Sequence, residues 1–366
     1  MEAREPSLPG SGPNVHAVPS RKGQSFGERC RNTAIGLAAF VATCLCIHAV
    51  MPEPEITGVS SKLRYFAAHQ DEFDTVFIGT SRVYYQVAPE IFDRATAEQG
   101  MPTRSFNLGV AGMHPPESFL LLERFLKLKP THLKWVFLEL EDVQAGWDPE
   151  RRGTRRLVYW HDWRLTSMAI KKSINPDGNK PWYKVLPRFW SKTVALHLKL
   201  YAQNLTNVGG ISDLNDLFSP PRDSEEAVHE LGPRRNGYQA GHDAMRPEDV
   251  QDYTSKLARA AEDTDPRLID PYAEAEYRSI AQAVRQHGAT PVFLVPPNLP
   301  QNPVHFRESP AAPGEVIAFN DAKKYPGFYD PAVRYDTGHL SREGAETFSQ
   351  VFAERFVAEV RAGEIR

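Results

Sequence analysis

The sequence predicts an α/β protein built on a doubly wound parallel sheet, with a helical insertion and one N-terminal transmembrane helix. Three observations lead there. Short apolar runs ending near glycine or proline alternate with amphipathic helical stretches, which implies a parallel sheet covered on both faces. A long charged and aromatic segment interrupts that rhythm. An uncharged run, TAIGLAAFVATCLCIHAV, occupies residues 33–50 and meets the lower length limit for crossing a bilayer.

In chain order, residues 1–32 are rich in Pro, Gly and Ser, too poor in apolar surface to fold, and are expected to form a disordered cytoplasmic tail. Residues 33–50 are the expected span. Arg21, Lys22, Arg29 and Arg31 precede it, so the N-terminus is expected in the cytoplasm and the bulk of the chain outside. An uncleaved anchor is favoured over a signal peptide, because the leader is long and no small-residue cleavage site follows. Cys44 and Cys46 lie inside the run and are expected to pack as small apolar side chains.

Residues 51–366 are expected to form the α/β domain. SKLRYFAAH leads into the strand DTVFIG; APEIFDRATAEQG reads as a helix, RSFNLG as a strand, PPESFLLLERFLKLK as a helix and KWVFLELE as a strand. The insertion spans about 147–265, after which PYAEAEYRSIAQAVRQHG, TPVFLVPP and SREGAETFSQVFAERFVAEV resume the pattern. In the last of these, Ala345, Phe348, Phe352, Phe356 and Val360 share one stripe, and Ser341 is placed to cap it.

The charge balance, 43 basic against 46 acidic residues, carries no basic excess of the kind nucleic-acid binding needs. All three cysteines, Cys30, Cys44 and Cys46, precede residue 47, so any nucleophile in the domain must be oxygen or nitrogen. No ligand-spaced cluster supports a metal, and no cofactor is expected.

Chemistry concentrates in three segments. FIGTSRVYY puts Ser81 two residues beyond the glycine that ends the first strand, at the sheet edge where such folds bind ligands; a plain helix cap is the alternative. YDTGHLS holds Asp336 and His339 three apart, a spacing that lets a carboxylate orient an imidazole whose other nitrogen faces a serine; a solvated surface turn is the alternative. FNLGVAGMHPP supplies Asn107, Gly109 and Gly112 at a turn whose backbone N–H groups can face an oxyanion.

Together the three segments resemble the SGNH/GDSL hydrolase superfamily, over about residues 72–145 and 270–360, and with the anchor they look most like its cell-envelope branch, similar to O-acetyltransferases and esterases of exopolysaccharides such as alginate. The resemblance implies a flavodoxin-like, SGNH-type sheet with Ser81 as nucleophile, His339 as general base, Asp336 as its partner, and the N–H groups of Ser81 and Gly112 as oxyanion donors. Arg82, Asn107 and His114 become candidates for substrate binding.

The first block reads GTSR where the family often has GDS, and where an oxyanion asparagine is expected the chain reads FLELEDVQ. A structural or substrate role is expected for Glu139, Glu141 and Asp142. The expected partner is an acylated carbohydrate or other ester, with envelope polysaccharide machinery and the membrane as further partners and no nucleic acid; a catalytically silent polysaccharide-binding or scaffold protein of the same fold is the alternative. The insertion aromatics Tyr159, Trp160, His161, Trp163, Trp182, Tyr183 and Trp190 form either a carbohydrate-binding rim or the core of a small helical subdomain.

Overall fold

A computed structural model describes residues 25–51, 54–146, 154–206, 229–241, 243–263, 265, 267–301, 304–306 and 314–365. Most of the expected tail, and residues 147–153 and 207–228 of the expected insertion, lie outside the described residues.

The first helix, α1 (Phe26–Val50), begins seven residues before the apolar run. Its start is set by a capping box in which Ser25 Oγ accepts the Glu28 N–H while the Glu28 carboxylate accepts the Ser25 N–H, satisfying two orphan donors at once. The helix is long and apolar enough to cross a membrane, by length and composition. Cys44 is buried and Cys46 exposed.

The domain then runs α2 (Ser60–Ala68), β1 (Thr75–Ile78), α3 (Ser81–Gln86), α4 (Pro89–Glu98), β2 (Ser105–Asn107), α5 (Glu117–Lys127) and β3 (Trp135–Glu139). Next come α6 (Arg155–Tyr159), α7 (Trp163–Ile174), α8 (Trp182–Val185), α9 (Lys192–Thr206) and α10 (Pro247–Glu262). The chain closes with β4 (Arg267–Leu268), α11 (Pro271–Gln286), β5 (Thr290–Val295), β6 (Val304–His305), β7 (Glu315–Ala318) and α12 (Arg342–Ala362).

Five strands form one parallel sheet in the order β2-β1-β3-β5-β7, and β4 pairs with β6 in a short ribbon. Both faces of the sheet are buried. Val76, Ile78, Val136, Leu138 and Phe293 pack with α2, α5 and α11 through Phe66, Phe125 and Tyr277. Phe77, Phe137, Val292 and Leu294 pack with α4 and α12 through Phe92, Phe352 and Phe356. The alternation along each strand follows from the two-residue period of side-chain direction.

The predicted stripe on α12 is buried at Ala345, Phe348, Phe352 and Phe356 and half-buried at Val360, and Ser341 caps the helix. Strand β7 is absent from the sequence reading: EVIA is four residues long and follows a proline-rich stretch, too short for a periodic signal.

Part of the expected insertion belongs to the core. The carbonyl of Asn236 accepts the N–H of Asn107 at 2.8 Å, so this stretch meets the open edge of β2, and Leu231 is buried in the core. Tyr253 of α10 is buried and donates to the carbonyl of Tyr329.

The helical part is pinned by two buried imidazoles. His161 Nε2 lies 3.0 Å from His197 Nδ1, and His197 Nε2 lies 3.0 Å from the carbonyl of Ala145. Burial, then the neighbouring His197, pushes the His161 pKa down to about 3, and burial lowers that of His197. Folded, both rings stay neutral below their ordinary value, where the unfolded chain takes up protons. Stability therefore falls as pH drops from about 6.5 toward about 3, by about 2 kcal/mol at pH 5 from His161 alone. Melting at pH 7 and pH 5 should show a smaller acid loss for His161→Phe than for the parent; equal losses would refute the assignment.

Candidate active site

Ser81 opens α3 immediately after the β1 turn, but Thr80, not Ser81, caps the helix: the Thr80 hydroxyl accepts the Arg82 N–H at 3.2 Å. That leaves the Ser81 hydroxyl for another partner. His339 Nε2 lies 2.7 Å from Ser81 Oγ, and His339 Nδ1 lies 2.9 Å from both oxygens of Asp336. Side chains 258 residues apart in sequence thus meet at the C-terminal edge of the sheet.

The Asp336 carboxylate also accepts the backbone N–H groups of Gly338 and His339 at 2.6 and 2.8 Å. Burial alone would raise its pKa; the hydrogen bond and charge of His339, with those two N–H groups, outweigh burial and hold it below the ordinary carboxylate value. It remains an anion at neutral pH, so His339 is oriented with Nδ1 as donor and Nε2 as acceptor.

The loop carrying the pair is supported by Arg334, which sequence reasoning missed. Fully buried, its guanidinium donates to the carbonyls of Phe328, Asp336 and Thr337 and lies over the rings of Tyr253 and Tyr329. The only sequence signal was a lone arginine among aromatics two residues before Asp336. Gln86, at the end of α3, donates to the carbonyl of Gly338 at 3.2 Å, tying this loop to the helix that carries Ser81.

The acids at the end of β3 and just beyond it are held by internal partners. Glu139 accepts the Thr80 N–H at 2.7 Å and Arg82 Nε at 2.6 Å. Glu141 pairs with the other end of Arg82 and with His114 Nδ1, the latter at 2.7 Å. Asp142 accepts the Asp270 N–H and pairs with Arg267. Arg82 and His114, expected at the substrate, are both paired with these carboxylates and keep part of their surface exposed. The Arg82 cation offsets two anions that would otherwise sit uncompensated behind the turn that carries Ser81.

Asn107 corrects an expectation. It is fully buried, its amide donates to the carbonyls of Val83 and Val87 at 2.8 Å each, and its Oδ1 accepts the Gly109 N–H at 2.7 Å. A side chain so used binds no substrate; it clamps the turn after β2 onto α3.

That turn runs beside β1, with the N–H groups of Leu108 and Val110 donating to the carbonyls of Phe77 and Gly79. Gly112 adopts φ +65° within it, a left-handed conformation that glycine accepts without strain. Arg156, from the insertion, donates to the carbonyls of Ala111 and Gly112 at 3.1 Å each and pairs with the buried Glu117.

A Cβ at Gly109 would lie 2.4 Å from the Tyr84 nitrogen, a backbone atom that cannot step aside. Gly109→Ala should therefore push the turn away from α3. On the role proposed below for the turn, the variant should slow acylation of Ser81 about 100-fold, read as the labelling rate of a serine-directed probe. An unchanged rate would show that the turn and Ser81 are uncoupled.

Compared with protein-family models, curated proteins and solved structures, the chain matches none of them. Its site therefore has to be read from its own geometry.

A cavity of about 660 Å³ adjoins the site, walled by Tyr84, Tyr85, Gly109, Val110 and Arg155 among others. Neither Ser81 nor His339 lines it, but Tyr85 also meets the His339 ring edge-on at 6.2 Å. Among the described residues, no group of three or more His, Cys, Asp or Glu is arranged to hold a metal ion. The insertion aromatics divide: Trp160 and His161 are buried, whereas Trp163, Trp182, Tyr183 and Trp190 are exposed and none of these four lines the cavity.

Proposed function

We propose that the chain is a serine-dependent acyl-ester hydrolase or O-acyltransferase of the SGNH/GDSL kind. The observation that carries this reading is the 2.7 Å contact between Ser81 Oγ and His339 Nε2, with Asp336 behind the imidazole. A hydroxyl is a weak nucleophile until a base takes its proton, and a base oriented by a third group is the arrangement that does so.

In this reading Ser81 Oγ attacks the acyl carbonyl as its proton passes to His339 Nε2, and Asp336 stabilises the resulting imidazolium. The N–H of Ser81, at the start of α3, and that of Gly112, in the glycine turn, hold the oxyanion. His339 returns the proton to the departing alcohol, leaving an acyl-serine. Water or a sugar hydroxyl, deprotonated by the same imidazole, then takes the acyl group, and exclusion of water from the cleft selects between the two outcomes. The strand order β2-β1-β3-β5-β7, with helices on both faces, supports a doubly wound fold of this class. The basic residues before the apolar run of 33–50 support a domain held outside the cytoplasm, periplasmic in a bacterial inner membrane, where acylated envelope polysaccharides are the substrates within reach.

The test is labelling of the detergent-solubilised full chain with a fluorophosphonate probe, followed by p-nitrophenol release from short acyl esters and acyl transfer to an oligosaccharide. Labelling at Ser81 and its loss in Ser81→Ala are expected. A folded parent that resists the probe and turns over no ester would instead mark a silent binder.

A further inference from the structure

We propose that the exposed aromatic and basic face formed by residues 180–192 is a second membrane contact, which lays the domain against anionic lipid headgroups beside its own span. Unlike the serine site, this face does no chemistry, and the inference does not depend on the reaction proposed above.

The segment reads KPWYKVLPRFWSK, with four cations, Lys180, Lys184, Arg188 and Lys192, and no acid. The bias extends beyond it. From Trp163 to Thr206 the chain carries eight basic residues against the single acid Asp177, in a protein whose net charge is -3. This one region is therefore strongly positive while the remainder is negative.

Its apolar side chains point outward. Trp190 is 91% exposed, Trp182 73%, Tyr183 59%, Leu186 51% and Phe189 43%, whereas Val185 is buried in a small cluster with Ile170, Ile174 and Val194. A single inward anchor under five outward apolar groups is an arrangement that water penalises. Indole and phenol rings interleaved with lysine and arginine suit the boundary between headgroups and acyl chains, where rings embed and cations meet lipid phosphates.

Position supplies the second argument. Helix α9 begins at Lys192, where this segment ends, and α9 packs against α1. The span would tether the domain that carries this face to the membrane, so even a weak lipid contact would be populated by effective concentration. An acidic polysaccharide would satisfy the cations and could stack on the rings, but it leaves the protruding Leu186 side chain without an apolar medium to enter.

The full chain would be reconstituted in phosphatidylcholine vesicles, with or without phosphatidylglycerol, carrying acyl chains brominated near the headgroup. The span contains no tryptophan, so bromine quenching of tryptophan fluorescence reports the domain. The parent should be quenched, and W182F/W190F should lose about half or more of that quenching, these being two exposed interfacial rings. K180E/K184E/K192E should lower quenching only where phosphatidylglycerol is present. Quenching that survives both sets of substitutions, or a parent that is not quenched, overturns the proposal; an unquenched parent that retards an acidic polysaccharide reassigns the face to that polymer. Because all five substituted side chains are exposed, the variants should fold as the parent does.

Discussion

Asp336→Asn should leave the fold intact and lower turnover of a short acyl ester by about 10⁴-fold. An asparagine amide facing His339 Nδ1 donates where the carboxylate accepted, so the ring flips tautomer: Nδ1 gives up its proton and Nε2 gains one. Nε2–H then points at Ser81 Oγ, 2.7 Å away, and the base can no longer accept. With the anion gone, nothing stabilises an imidazolium. Because Asp336 is half-exposed, the substitution costs little stability, which separates a catalytic loss from an unfolding one. Rates near those of the parent, with melting unchanged, would mean that His339 needs no carboxylate and would remove the triad reading.

Lys62→Met should destabilise the domain by about 3–5 kcal/mol, the usual cost of deleting one partner from a buried charged network. Lys62 is fully buried, yet its Nζ donates to the carbonyls of Asn107 at 3.2 Å, Gly109 at 2.7 Å and Gly237 at 2.6 Å, and lies 4.0 Å from the centre of the Tyr84 ring. Three acceptors use all three protons of an ammonium. Burial holds the Lys62 pKa well below its ordinary value, opposed by the nearby Glu230, whose carboxylate accepts the Gly58 N–H and the Ser61 hydroxyl. Methionine would leave three carbonyls without their donor and Glu230 without its counter-charge. Since two of those carbonyls belong to the end of β2 and the turn that follows it, probe labelling of Ser81 should slow along with the loss of melting temperature in detergent. A midpoint matching the parent would show that the cation is dispensable.

Lys62 also marks where sequence reading stops. In SKLRYFAAH it looks like one charged residue on an amphipathic helix, and its burial depends on three carbonyls up to 175 residues away. Asn107 misled for the same reason: an asparagine in a glycine turn resembles a ligand, and only the position of α3 reveals two carbonyls waiting for its amide. Arg334 lacked any periodic context at all. Residues 229–241 read as polar insertion because the contact of Asn236 with the free edge of β2 cannot be inferred from local composition.

What the amino-acid order determined by itself was whatever depends on period and local chemistry. The apolar span, the alternation of strands with helices, the stripe on α12, the serine at a strand end and the three-residue spacing of Asp336 and His339 all follow from side-chain direction and turn geometry over a few residues. Tertiary structure alone decided which distant polar groups meet. It put the hydroxyl of Ser81 on the imidazole of His339, spent Arg82 and Asn107 on internal partners, and left the tryptophans at 182 and 190 facing outward. The physical reason is that hydrogen bonds and ion pairs act over about 3 Å, whereas the chain separations they bridge are set only once the sheet has assembled.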